Sequence, residues 1–215
     1  MGLATHGSTS TMLFLKVSYM KGLFTAQDAA LLLIDHQIGT MQLIKNILLE
    51  TVKRNTIALA KTAKILNIPV ILTSSQEENL QGPLIPELAT LLPEAFASRI
   101  KRAGIVNAWA DKNFKAAVEA TGRKSLIMAG VTTDVCLVYP SINAVQEGYS
   151  VQAVMDASGS PYKLSEDMSR RRMEREGVVL TATNTLMAEL AQDWSSPQGS
   201  QLLHILFEDV LPKIG

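Results

Sequence analysis

The only cysteine of this 215-residue chain, Cys136, is the side chain best suited to covalent chemistry. It follows an apolar run over residues 126–131 that predicts a short buried strand, and residues 134–147 carry apolar side chains at helical spacing. We therefore expect Cys136 in the first turn of a helix that follows the carboxyl end of a strand. Because the N–H groups and dipole of a helix N-terminus favour a thiolate, this position predicts a thiol with a lowered pKa. The alternative is a small core side chain, which is what lone cysteines often are.

A carboxylate and a cation are expected beside this thiol. A central apolar strand is predicted to end in Asp35. The carboxyl ends of parallel strands lie along one edge of a sheet, so we expect Asp35 and Cys136 to be neighbours. A carboxylate alone raises the pKa of a thiol by repulsion, so the pair needs a nearby cation, for which the candidates are Arg99, Lys101 and Arg102. The alternatives are a helix cap for Asp35 and a solvated surface for the basic cluster.

Strands and helices alternate along the chain from residue 29 onward. Such alternation predicts an α/β fold, with a doubly wound, mostly parallel sheet and helices on both faces. The predicted strands cover residues 30–34, 69–73, 126–131, 151–155 and 178–181, and the predicted helices cover residues 51–66, 113–121, 134–147, 165–176 and 185–192. Prolines at positions 83, 86 and 93 make the stretch from residue 83 to residue 92 a short helix or a loop.

Length and composition predict one domain. The chain is long enough for one sizeable core and too short for two. We place this domain at residues 25–215 and interpret residues 1–24 as a flexible or loosely attached N-terminal extension. Hydrophobic residues make up 47% of the chain and charged residues 19%, which favours a heavily buried sheet, an oligomer interface, or both.

The charge balance argues against a nucleic-acid partner. Lysine plus arginine equals aspartate plus glutamate at 20 each, so no net positive charge is available for a phosphate backbone. No apolar run approaches the roughly 18–20 residues of a membrane span, so no membrane partner is predicted. A lone cysteine suits a reducing compartment, which predicts a cytoplasmic protein. Residues 1–24 are acid-poor and rich in Ser and Thr, which leaves mitochondrial import open.

Cofactor motifs do not occur in the sequence. The three histidines, His6, His36 and His204, lack the paired spacing of a metal site. The glycine-rich phosphate-binding motifs and the Gly-x-Ser-x-Gly elbow of serine hydrolases are also missing. We predict neither a metal nor another cofactor.

Four segments together resemble the isochorismatase-like cysteine hydrolase superfamily, and within it the YcaC-type hydrolases of unknown specificity. The segments are Leu-Leu-Ile-Asp-His-Gln at 32–37, Asn-Ala-Trp at 107–109, Ala-Gly-Val-Thr-Thr-Asp-Val-Cys at 129–136 and Asp-Ala-Ser-Gly at 156–159. The resemblance covers about residues 28–195. It implies a three-layer fold and a triad in which Asp35 is the general base and Cys136 the nucleophile. The family's basic member is usually lysine; here Arg102 matches best, with Lys101 beside it.

The resemblance also implies how the substrate is held. The bond between Val131 and Thr132 would be cis, so that the amides of Thr132 and Cys136 point at a developing oxyanion. Nicotinamidases of the superfamily bind a metal through an Asp-x-His pair after the second strand, whereas residues 74–79 contain no histidine. The candidate pocket residues are Gln37, Ser75, Gln76, Asn107 and Trp109.

We therefore expect a metal-independent, cysteine-dependent hydrolase of a small amide, carbamoyl or related C–N bond. The alternatives are a catalytically silent oligomeric binding or scaffold protein and a thiol-based redox sensor. The partners expected are a small-molecule substrate and further copies of the chain, in a tetramer or octamer. Trp109, Trp194 and residues 202–207 are candidates either for such an interface or for ordinary core.

Overall fold

The computed structural model describes residues 22–213, and six strands within them form one sheet. Every neighbouring pair is parallel. The strands are β1 (Ala29–Ile34), β2 (Val70–Ser75), β3 (Ile100–Arg102), β4 (Ser125–Gly130), β5 (Ser150–Val154) and β6 (Val179–Thr181). Their order across the sheet is β3-β2-β1-β4-β5-β6. Strand β1 therefore lies near the centre, with β2 and β3 on one side of it and β4, β5 and β6 on the other.

Helices cover both faces of this sheet, which confirms the predicted doubly wound α/β fold. The α-helices are α1 (Leu49–Ile65), α2 (Pro86–Leu91), α3 (Pro93–Ala97), α4 (Lys112–Ala120), α5 (Val138–Gln146), α6 (Lys163–Arg175), α7 (Thr183–Ala191) and α8 (Pro197–Ile205). Short 3-10 turns cover Thr40–Leu43, Ala108–Ala110 and Met155–Ala157, and π-helical turns cover Thr133–Leu137 and Leu206–Val210.

Strand β1 is buried on both faces, which explains its unbroken apolar sequence. Leu31 and Leu33 point into the core beneath α1 and α7. Leu32 and Ile34 point into the opposite core beneath α4 and α5. The strand that carries Asp35 at its end is therefore held by packing on two sides.

A third apolar cluster joins the C-terminal segment to α1 and α7. Leu202, Ile205 and Leu206 are buried there against Ala58 and Met187. Of the two alternatives given for residues 202–207, these three side chains belong to the core, while Phe207 is 41% exposed.

Two helix ends show the capping that their residue types favour. Asp111 caps the start of α4, accepting hydrogen bonds from the backbone N–H groups of Asn113 and Phe114 at 2.9 and 3.0 Å. Helix α6 ends just before Gly177, whose φ of +91° is a conformation that favours glycine.

The strand β3 is the main element that the pattern did not predict. It has only three residues, Ile-Lys-Arg, and its charged composition resembles a solvated basic edge more than a strand. Pairing with β2 fixes it in the sheet, with Thr73 opposite Ile100 and Ser75 opposite Arg102. Tertiary pairing here overrides local propensity. Helices α3 and α8 were not predicted either.

The N-terminal extension predicted at residues 1–24 lies almost wholly outside the described residues. Phe24 is within them and is already part of the core, at 4% exposure, with its N–H donating to Glu189. Within residues 22–213, no helix is both long enough and apolar enough to cross a membrane.

Candidate active site

Asp35 stands where the central strand ends, with 1% of its surface exposed. Its backbone N–H donates to the Thr73 carbonyl at 2.9 Å, which continues the pairing of β1 with β2 by one residue. Its φ is +59°, a left-handed conformation that non-glycine residues rarely adopt. The chain therefore turns sharply at this carboxylate, at the carboxyl edge of the sheet.

Arg102, the last residue of β3, is the cation that meets Asp35. Its guanidinium donates to both oxygens of the Asp35 carboxylate. Its Nε donates to Thr73 Oγ1 at 3.1 Å, and its Nη1 donates to the carbonyls of Ile105 and, at 3.1 Å, Val106. Five acceptors thus match the five N–H donors of the side chain, which is only 2% exposed.

Lys101 does not share this position, although it is the neighbouring residue. Successive side chains of a strand point to opposite faces, so the orientation of Arg102 directs Lys101 away. The Lys101 side chain is 55% exposed and pairs with Glu77 at 2.9 Å. Arg99 also pairs with Glu77, at 2.7 Å. Of the three basic candidates, only Arg102 contacts Asp35.

Cys136 lies in the π-helical turn over Thr133–Leu137, directly before α5. The bond between Val131 and Thr132, at the entry to this turn, is cis. The Cys136 thiol faces the Asp35 carboxylate closely enough for each group to shift the pKa of the other. Three side chains from separate parts of the chain, Asp35, Arg102 and Cys136, therefore meet at one edge of the sheet.

The structure corrects the expected ionisation of the thiol. Burial raises the pKa of Cys136 well above its ordinary value, and the negative charge of Asp35 raises it further. Arg102 and a backbone hydrogen bond from Thr132 lower the pKa but do not overcome these causes. A helix N-terminus was expected to lower the pKa of Cys136; burial of the thiol, followed by the negative charge of Asp35, raises it instead.

Asp35 is more basic than an ordinary aspartate. Burial raises its pKa, against the opposing influence of Arg102 and of the thiol hydrogen bond. A charged carboxylate that accepts two N–H donors and a thiol leaves Cys136 as the proton donor of the pair. The arrangement is suited to move the thiol proton to Asp35 when the sulfur attacks.

The two backbone amides expected at an oxyanion are not equivalent. The Thr132 backbone lies near the Cys136 sulfur and lowers the pKa of the thiol. The Cys136 N–H, by contrast, donates to the Thr132 carbonyl at 2.8 Å within the π-helical turn. The Cys136 amide, one of the two expected to point at an oxyanion, is therefore already used within the turn.

The segment that follows β5 supports this turn from behind. Ser158 Oγ accepts the Gly130 N–H at 3.0 Å, and the Gly159 carbonyl accepts the Thr133 N–H at 2.8 Å. A Cβ at Gly159 would lie 2.7 Å from the Ile44 side chain, so a larger residue would force the two segments apart. The Asp-Ala-Ser-Gly stretch at 156–159 thus acts as a scaffold of the site.

A sequence profile of the isochorismatase domain matches residues 29–185, which span all three of these side chains. The chain belongs to the isochorismatase family.

Individual relatives agree with this family. The "Probable hydrolase YcaC" of Escherichia coli (strain K12) is 41% identical over 167 residues, which are 78% of this chain and 79% of the relative. The solved structure of E. coli YcaC, described as an octameric hydrolase of unknown specificity, superposes with a TM-score of 0.82 at 39% identity, covering 87% of this chain and 90% of that one. A structure of YcaC from Pseudomonas aeruginosa, with hexane-2,5-diol and covalent acrylamide, superposes with a TM-score of 0.84 at 39% identity, covering 90% and 94%.

In this isochorismatase-family chain, Gln37 does not serve as a pocket residue. It is fully buried, and its amide oxygen accepts the Ser75 N–H at 2.8 Å. Its amide nitrogen donates to the carbonyls of Ser75, at 2.9 Å, and Gly82, at 2.5 Å. With every polar atom used, Gln37 fastens the end of β1 to the end of β2 and has nothing left to offer a ligand.

Gln76 and Ser75 lie at the same edge but differ in exposure. Gln76 is exposed and organises its own loop, donating to the Ala103 carbonyl at 3.3 Å and accepting from Gln81 at 3.2 Å. Ser75 is half-buried, and its backbone is held by Gln37. These two remain candidate pocket residues.

Asn107 and Trp109 pack against α5 and the residues that follow it. Asn107 donates to the Asn143 side chain at 2.7 Å and accepts from the Trp109 N–H at 3.1 Å. Trp109 is 4% exposed and meets the ring of Tyr149 edge-on, with centroids 5.3 Å apart. The structure makes Trp109 a core residue, so its assignment to the pocket is corrected.

His36 and Thr73 are two site residues whose tasks the sequence did not reveal. His36 is fully buried beside Asp35, and its Nε2 lies 2.9 Å from the Ala157 carbonyl. Burial lowers the pKa of His36 to about 4, so the ring is neutral at physiological pH. The contact with Ala157 ties His36 to the segment after β5. Thr73 Oγ1 accepts the hydrogen bond from Arg102 Nε.

Within residues 22–213, no group of acidic, histidine or cysteine side chains is arranged to hold a metal ion.

Proposed function

We propose that this isochorismatase-family protein is a cysteine-dependent hydrolase of a small amide, carbamoyl or related C–N bond. The observation that carries the proposal is the contact of the Cys136 thiol with the buried Asp35 carboxylate, whose charge Arg102 balances. A nucleophile touching a base, and a base held by a third group, is the arrangement that activates a nucleophile in covalent catalysis.

The first half-reaction forms an acyl-enzyme. As Cys136 Sγ attacks the substrate carbonyl carbon, its proton passes to Asp35, and the carbonyl electrons move to the oxygen. The Thr132 amide, which faces the sulfur, is a donor for that oxyanion. When the carbonyl re-forms, the C–N bond breaks, and the leaving nitrogen takes the proton from Asp35.

The second half-reaction restores the thiol. A water molecule gives a proton to Asp35 and attacks the acyl carbon, and the C–S bond breaks. The proton on Asp35 then returns to the sulfur, leaving a carboxylic or carbamic acid. Throughout, Arg102 supplies a fixed positive charge and moves no proton, because a guanidinium stays protonated.

The hydrogen bonding of Arg102 also limits the substrate. All five of its donors have protein acceptors, so it has none to offer a substrate carboxylate or phosphate. Exposed apolar side chains of Ile105 and Val106 flank it, at 44% and 56% exposure. A small uncharged substrate fits these surroundings. The covalent acrylamide of the P. aeruginosa relative is a small uncharged amide that reacts with nucleophiles.

The test is hydrolysis of a panel of small neutral amides and carbamoyl compounds, measured as the release of ammonia or amine. Cys136→Ala should abolish release, and Cys136→Ser should reduce it by several orders of magnitude while leaving the fold unchanged by circular dichroism. Lys101→Met is the matched control, because this neighbouring cation does not contact Asp35. Intact mass after incubation with acrylamide should show one adduct in the wild type and none in Cys136→Ala.

Two results would contradict the proposal. The first is amine release by Cys136→Ala at the wild-type rate. The second is a wild-type protein that neither turns over any of the panel nor forms an adduct, which would favour the silent scaffold.

We also propose that the chain self-associates into a homo-oligomer. The octameric E. coli relative and the apolar composition, at 47% hydrophobic residues, support this. Size-exclusion chromatography with light scattering measures the assembly directly, and a particle of 23.3 kDa, the mass of one chain, would contradict it.

A further inference from the structure

A groove of about 510 Å³ lies between the π-helical turn with α5 on one side and α6 on the other. Its lining includes Tyr139 from α5 and Tyr162, Leu164 and Met168 from the start of α6. Cys136 is not among its lining residues, so the groove is distinct from the triad.

The apolar side chains of this groove are unusually open to solvent. Tyr162 and Leu164 are each 72% exposed, and Met168 is 47% exposed. Single exposed apolar residues are ordinary, but several gathered in one groove mark a surface that another molecule covers.

Two charged side chains in the same groove lack partners. One carboxylate oxygen of Asp134 is buried and accepts no hydrogen bond from any residue between 22 and 213. Arg172 lies over the ring of Tyr139 at 5.4 Å and forms no ion pair within the described part of the chain. Asp134 and Arg172 both line the groove, and neither has an ion-pair partner among the described residues, so a molecule that fills the groove should bring both a cation and an anion.

We infer that a second copy of this chain occupies the groove, in a two-fold contact that pairs Asp134 of each copy with Arg172 of the other. The inference rests on the proposed self-association and locates one of its interfaces.

The charge pattern favours a second copy over an unrelated partner. A two-fold interface brings the same patch of both copies together, so the patch must be complementary to itself. This groove is lined by one acid and one base without ion-pair partners among the described residues, together with exposed apolar side chains. A two-fold axis that places Asp134 of each copy opposite Arg172 of the other pairs both charges twice, while Tyr162, Leu164 and Met168 of each copy lose their contact with water.

Light scattering of Leu164→Asp tests the inference. Leu164 is exposed, so the change should leave the monomer folded, and it places two new charges in the interface. We expect the self-dissociation constant to rise at least about tenfold. The matched control is Leu48→Asp, which changes a leucine of 77% exposure outside the groove and should leave the assembly at its wild-type mass.

Charge reversal tests the pairing itself. Asp134→Arg and Arg172→Asp should each weaken assembly, and the two changes combined should restore it, because the reversed charges again face each other. Circular dichroism distinguishes weaker assembly from misfolding.

The outcomes separate this inference from the self-association on which it rests. A wild-type monomer would overturn both. A wild-type oligomer whose mass is unchanged in Leu164→Asp would overturn the location of the interface and leave self-association standing. An oligomer weakened equally by Leu164→Asp and Leu48→Asp would also overturn the location.

Discussion

The Arg102 guanidinium and the Asp35 carboxylate form a two-point ion pair with almost no contact with solvent, the two residues being 2% and 1% exposed. Because charges removed from water need close partners, each residue depends on the other to be stable inside the fold. The pair also joins the end of the central strand to the edge strand β3, and so fixes the carboxylate that receives the thiol proton.

Arg102→Met should destabilise the protein by about 3–5 kcal/mol, because Asp35 then becomes a buried charge without a partner. Chemical denaturation measures this free energy of unfolding. Lys101→Met is the control and should cost less than about 1 kcal/mol, since it removes only a partly exposed ion pair. The double change Arg102→Met with Asp35→Asn should recover part of the loss. Equal effects of the two single changes would contradict this account of the ion pair.

Asp35→Asn should lower the pKa of Cys136 and yet reduce turnover. Removing the negative charge removes one cause that raises the thiol pKa, while Arg102 continues to lower it. Turnover should nevertheless fall by about 10²–10⁴-fold, because the group that accepts the proton is lost. The pH titration of thiolate absorbance and steady-state kinetics give the two values. A thiol pKa that rises in the variant would show that the charge of Asp35 is not what raises it.

The stability of the wild type should fall as pH rises above about 9, the ordinary pKa of a thiol. Above that pH the unfolded thiol loses its proton, whereas the folded one, with its raised pKa, keeps it. The folded state then binds more protons than the unfolded state, so the free energy of unfolding decreases by up to about 1.4 kcal/mol per pH unit. Denaturation of the wild type and of Cys136→Ser at several pH values isolates this contribution. Parallel curves for the two proteins would rule out a raised thiol pKa.

Acid should destabilise the protein through His36. Its pKa is about 6.5 when unfolded and about 4 when folded, so below pH 6.5 the unfolded state takes up a proton that the folded state refuses. Roughly 3 kcal/mol of stability should therefore be lost between pH 6.5 and pH 4. His36→Gln should flatten the profile in this range, and His204→Gln, a change at an exposed site, should not. Protonation of Glu77, whose pKa is lowered to about 2, should also reduce stability, but only at pH values below 4.5, the ordinary pKa of a glutamate.

Most of the fold can be predicted from the amino-acid pattern. The apolar run of β1 and the helical spacing over α1, α5 and α6 reflect burial that each segment must achieve wherever it lies, so the pattern is visible locally. The parallel sheet followed from the alternation of strands and helices. Since parallel strands end on one edge, the meeting of Asp35 and Cys136 could be expected as well.

The electrostatics of the site and the role of each of its residues depend on contacts between segments that are distant along the chain. The three residues of β3 are a strand because β2 pairs with them, and that pairing turns Arg102 inward and Lys101 outward. The direction of the Cys136 pKa shift depends first on how deeply the thiol is buried and then on the negative charge of Asp35 beside it, and spacing along the chain contains neither. The role of Gln37 likewise depends on distant segments. Its residue type suggested ligand binding, but its hydrogen-bond partners are backbone groups of Ser75 and Gly82, which reach it only in the folded chain.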